Sequence, residues 1–130
     1  MLYILSENNI PATFFVVGQQ IKWFPEILKR IIREEHALGN HSWSHPNFIK
    51  LTTSQVKEEV LSTEDEIISL TGNKPTLFRP PYGECTKADF QMIDGLVYKL
   101  IMWSVDTLDW SGISSEQILS IVKEIYYLEQ

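Results

Sequence analysis

The chain has 130 residues, with 11 Lys plus Arg against 17 Asp plus Glu, a formal net charge of −6. That length suits one domain over residues 1–130, and 44% hydrophobic residues supply material for a core. The acidic balance and the lack of any Lys/Arg run argue against nucleic acid and anionic membranes as partners, and a single cysteine, Cys85, excludes an internal disulfide.

Ala12-Thr13-Phe14-Phe15-Val16-Val17, bounded by Pro11 and Gly18, predicts a buried strand. A helix is expected from Pro25 to about Glu35, carrying Ile27, Leu28, Ile31 and Ile32. The longest helix should run from Thr52 to Leu70, opened by the capping pattern Thr52-Thr53-Ser54-Gln55 and stopped by Gly72. Leu77-Phe78-Arg79 reads as a short strand ending at Pro80-Pro81, Thr86 to Asp94 as a short helix ending at Gly95, and Leu100 to Val105 as another strand. A last helix begins near Ser115, with Ile118, Leu119, Val122, Ile125 and Tyr126 on one stripe. Apolar strands alternating with helices predict an α/β domain whose parallel sheet is barrel-like or open.

In such folds ligands gather at the carboxyl ends of the strands. Three polar segments are placed there: Asn40 to Pro46, Arg79 to Gly83 and Asp106 to Trp110. His41 and His45, one helical turn apart, would face the same way and could share a cation, with Pro46 ending the turn. His36 is offset from the pair and reads as structural. Arg79, stiffened by the two prolines, could orient a carboxylate, and beside Gly83 the Tyr82 amide could serve as an oxyanion donor. Asp106 and Asp109 could hold a histidine or cap a turn, and Trp110 could wall a sugar groove. Trp103 reads as core, and Cys85 has no histidine near it in sequence.

Together these segments resemble the polysaccharide deacetylase family, the NodB-like carbohydrate esterases. The resemblance rests on four blocks in order: Ala12 to Val16, His36 to Pro46, Phe78 to Gly83 and Trp103 to Trp110. It implies a distorted, partial (β/α) barrel and a divalent metal, usually zinc, that helps remove N-acetyl or O-acetyl groups from chitin-like or peptidoglycan glycans. By resemblance His41 and His45 are metal ligands, the Tyr82 amide helps hold the oxyanion, and Arg79 orients the base. Asp109 tunes the acid histidine, and Trp110, with Pro80, contacts the glycan.

The family's Thr-Phe-Asp-Asp block, source of the base and the third metal ligand, is not found here, and no histidine follows His45. The chain therefore looks like a deacetylase without its first and last strands, of weak or no activity alone. Two exposed sheet edges would then favour self-association. The resemblance places the protein at the cell wall or outside the cell, although no signal peptide is visible. The alternative is a non-catalytic remnant that binds glycan or self-associates.

Overall fold

The computed structural model describes residues 1–128. Chain order is α1 (Leu2–Glu7), β1 (Thr13–Val16), α2 (Gly18–Trp23), α3 (Pro25–Arg33), β2 (Ala37–Asn40), α4 (Thr53–Thr71), β3 (Leu77–Phe78), α5 (Lys87–Gly95), β4 (Lys99–Leu100) and α6 (Ser115–Leu128). The strands form one parallel sheet in the order β1-β2-β3-β4. Doubly wound sheets reverse their strand order at a switch point, whereas barrels advance one strand at a time. The strictly sequential order here is therefore an arc of a (β/α) barrel, which resolves the open alternative.

Helix limits follow local chemistry. Thr52 caps α4 by accepting from the Gln55 amide at 3.2 Å, while Gln55 accepts from the Thr52 amide at 2.9 Å, and Gly72 closes the helix at φ 75°. Thr86 and Asp89 form the same box at α5. The helix α3 stops two residues short of expectation because Glu35 turns to φ 63°. Beyond α5, Val97 at φ 67° makes the left-handed turn, while Gly95 stays helical.

Three elements carry no clear sequence signal. The strand β2, Ala-Leu-Gly-Asn, is short and poor in β-formers, yet it lies inside the sheet between β1 and β3. The helix α1 has no buried residue. The helix α2 starts at Gly18, where an added Cβ would lie 2.4 Å from the Trp43 ring and 2.6 Å from Thr63 Oγ1. The expected strand Leu100 to Val105 shrinks to Lys99–Leu100, because β4 is an edge strand among the described residues and pairs only with the two-residue β3.

The main core joins Phe48, Val56, Val60, Phe78, Ile93 and Tyr98 between α4, α5 and the sheet. A second cluster of Ile21, Leu28 and Ile67 packs α2 and α3 on the other part of α4. Burying each such side chain contributes roughly 1.5–3 kcal/mol relative to exposure. The expected stripes are only partly inward, since Ile27, Ile32 and Ile68 remain exposed. The helix α4 thus serves both clusters and becomes the stiff support beneath the loop that follows β2.

Candidate active site

The sheet ladder continues one residue past three strands. The His41 amide donates to the Val16 carbonyl at 3.0 Å, the Arg79 amide to Asn40 at 3.1 Å, and the Ile101 amide to Phe78 at 2.8 Å. His41, Arg79 and Ile101 consequently stand side by side at the carboxyl edge. Above them lies a cleft of about 570 Å³ lined by His41, His45, Arg79, Tyr82, Trp103, Asp106 and Trp110.

The histidines are neighbours, but not through a helical turn. Ser42 and His45 adopt φ 70° and 60°, so an irregular loop rather than a helix folds His45 back over His41. Their ring centroids are 4.8 Å apart at 70°, and the His45 ring meets Tyr82 edge-on at 4.9 Å. Within the loop the Ser42 amide donates to Asn40 Oδ1 at 3.0 Å and the His45 amide to Ser42 Oγ at 3.0 Å. Asn40 is itself held by donating to the Val60 carbonyl and the Tyr98 hydroxyl, and burial pushes the Tyr98 phenol pKa up, keeping it a donor to Glu64.

His41 Nδ1 lies 2.6 Å from the Arg79 carbonyl, which can only accept, so Nδ1 carries the hydrogen and Nε2 presents a lone pair. Desolvation lowers the His41 pKa, opposed by that hydrogen bond and reinforced by the charges of His45 and Arg79. The neutral form is the one that binds metals. These two imidazoles fit two positions of a zinc shell. Among the described residues no group of three His, Cys, Asp or Glu side chains converges on a common ion position. Asp106 lines the cleft, yet its Oδ1 accepts from the Leu108 amide at 3.0 Å as a turn cap.

Arg79 departs from its expected partner. Its Nε donates to the Ile101 carbonyl at 3.0 Å and its Nη2 to the Met102 carbonyl at 3.1 Å, and no carboxylate pairs with it among the described residues. The guanidinium lies 4.2 Å from the Phe15 ring centroid and 5.1 Å from that of Trp103. It ties the end of β3 to the unpaired stretch after β4, because those carbonyls have no strand partner there. Desolvation lowers its pKa without neutralising so strong a base.

Tyr82 sits at φ 59° inside a 3₁₀ turn, and its amide has no acceptor among the described residues, which leaves that N–H free to meet an anion. Pro80, expected at the glycan, is under 2% exposed and presents no surface to a ligand. Asp109 is outside the cleft lining; its Oδ1 accepts from the Trp110 amide at 3.0 Å in an exposed turn. Trp103, expected in the core, instead helps line the cleft at 43% exposure, for its segment lies beyond the end of β4. Trp110 is 77% exposed at the rim. His36 is structural as expected: its Nδ1 accepts from the Ala12 amide at 3.1 Å and its ring abuts Phe14.

Residues 1–100 match the polysaccharide deacetylase family. The chain belongs to that family. It is 38% identical over 118 residues to a peptidoglycan-N-acetylglucosamine deacetylase of Bacillus cereus, covering 91% of this chain and 43% of that protein. The crystal structure of the Bc1960 peptidoglycan N-acetylglucosamine deacetylase superposes with a TM-score of 0.90 at 37% identity, over 92% of this chain and 56% of that one. A CE4 family pseudoenzyme from Bacillus anthracis superposes equally well, TM-score 0.90 at 31% identity, over 95% of this chain and 44% of that one. The chain spans about half the length of these relatives.

Proposed function

We propose that this chain is part of a metal-dependent deacetylase that removes N-acetyl, or O-acetyl, groups from peptidoglycan or chitin-like glycans at the cell wall. The observation that carries this reading is the His41 tautomer. A carbonyl-anchored Nδ1–H beside a second imidazole is the arrangement of a metal ligand pair and has no purpose in a packed core. When bound, a divalent ion, zinc by preference, would polarise the acetyl carbonyl as a Lewis acid. His41 Nε2 and His45 would hold it. The free Tyr82 amide would donate to the oxyanion that develops on the acetyl oxygen; a donor so placed is generally worth about 3 kcal/mol of barrier. Trp110 and Trp103 offer flat faces against which a sugar ring can stack, and Arg79 keeps the Trp103 wall in place.

A third metal ligand and a general base are not supplied by the described cleft residues, so the chain alone should turn over slowly. That observation also favours a second reading, a non-catalytic glycan-binding module, as does the likeness to a pseudoenzyme. Acetate release from a chitin oligomer and from peptidoglycan fragments, with and without zinc, separates the two. Zinc-dependent release is the expected result. Oligomer binding with no acetate at any zinc concentration would instead establish the module.

The open sides of β1 and β4 lead to a proposal about assembly. Each is an end strand among the described residues, and free backbone groups there favour pairing with a second copy. Sedimentation should show a dimer or larger species whose population rises with concentration; a monomer at all concentrations would dismiss it.

A further inference from the structure

The geometry points to Glu59 as a positioning residue for the histidine pair, although it lies on α4 and does not line the cleft. Its Oε2 accepts from both the Trp43 amide at 2.9 Å and the Ser44 amide at 2.8 Å, and its Oε1 accepts from the Ser44 hydroxyl at 2.9 Å. No lysine or arginine pairs with this carboxylate among the described residues, so loop donors supply its main stabilisation.

The two amides it takes lie between His41 and His45. Ser42 and His45 bracket them in the left-handed region, a conformation that non-glycine residues keep only when surrounding contacts enforce it. One end of the loop is pinned by Asn40 and by the Gly18 amide, which donates to the Ser42 carbonyl at 2.9 Å. The middle is pinned by Glu59. Its own backbone is fixed by the buried neighbours Val56, Val60 and Thr63, and the Thr63 hydroxyl donates to the Glu59 carbonyl at 3.1 Å. The carboxylate therefore transmits the rigidity of α4 to the His41 to His45 separation. It acts on the ion and the substrate only through those rings.

The division of labour between the two oxygens makes the inference sharply testable. A glutamine at this position can keep its carbonyl oxygen on both amides and turn its NH₂ toward the Ser44 oxygen, so Glu59→Gln retains the clamp without the charge. Glu59→Ala removes it. In metal-free protein with labelled histidines, the ring-to-ring proton contact between His41 and His45 should persist in the native chain and in Glu59→Gln. It should vanish in Glu59→Ala while amide signals of the sheet stay in place. Zinc affinity should fall about 10- to 100-fold in Glu59→Ala, the range for residues that orient metal ligands, and recover in Glu59→Gln. Glu58→Ala, an exposed neighbour, should change neither reading.

Persistence of the ring contact in Glu59→Ala would overturn the inference. Should Glu59→Ala fail to fold, Ser44→Ala decides: it deletes only the hydroxyl bond, and a ring contact weakened in that variant supports the clamp, whereas an unaltered one refutes it. The inference rests on the metal-ligand reading for its purpose but not for its test. A native chain that shows the ring contact and binds no zinc would sink that reading and leave the clamp standing.

Discussion

Replacing His41 with alanine is expected to weaken zinc binding by about 100-fold or more and to reduce acetate release to background. Loss of residues that merely orient a ligand costs 10- to 100-fold, and removing the ligand itself should cost at least as much. Folding should survive. The backbone bond from the His41 amide to Val16 remains, and the lost side-chain bond leaves the Arg79 carbonyl unpaired at a cost of about 1–3 kcal/mol. Calorimetric zinc titration alongside a thermal melt checks both halves. His36→Gln is the contrast, since that histidine bonds to the Ala12 amide away from the cleft and should change stability without changing zinc affinity.

The same residue sets an acid limit. Desolvation, with the charges of His45 and Arg79, lowers the His41 pKa below the ordinary 6.5 despite the Arg79 hydrogen bond. The folded state then favours neutral His41 more than the unfolded chain does. Its contribution to stability is complete above pH 6.5 and is lost as pH falls through the lowered value. Zinc binding should accordingly persist somewhat below the pH at which an ordinary imidazole would protonate. Affinity that declines at or above that pH would contradict the desolvated setting described for the ring.

Phe78→Ala should be the most damaging single truncation, costing about 3–5 kcal/mol out of the roughly 5–15 kcal/mol typical of a domain. Phe78 is fully buried, stacked on Phe48 at 5.9 Å and edge-on to Tyr98 at 5.9 Å. It also forms half of the two-residue β3, and Arg79 follows it directly, so a void there loosens the residue that holds both His41 Nδ1 and the Trp103 segment. Urea unfolding followed by circular dichroism measures the loss. Trp23→Ala, at an exposed position, should stay within about 0.5 kcal/mol. Comparable losses from the two variants would mean that the core is elsewhere.

Chemistry confined to a few neighbouring residues was legible in the sequence. Capping boxes set the starts of α4 and α5, a β-branched and aromatic run marked β1, and the recurrent blocks identified the family and its histidine pair. Contacts between distant segments were not. The strand β2 is made by its neighbours, because Ala-Leu-Gly-Asn has little intrinsic preference for extension. The histidines meet through left-handed residues at Ser42 and His45, a conformation disfavoured locally and sustained by Asn40 and Glu59 from other elements. Arg79 takes carbonyls rather than a carboxylate because the chain after β4 has no strand to pair with, and that same segment turns Trp103 and Asp106 into the cleft while leaving Asp109 outside it. Residue types and their order thus determined the family and the candidate ligands. Only the folded chain decided which atoms meet, since hydrogen-bond partners far apart in sequence depend on where the sheet and α4 bring them.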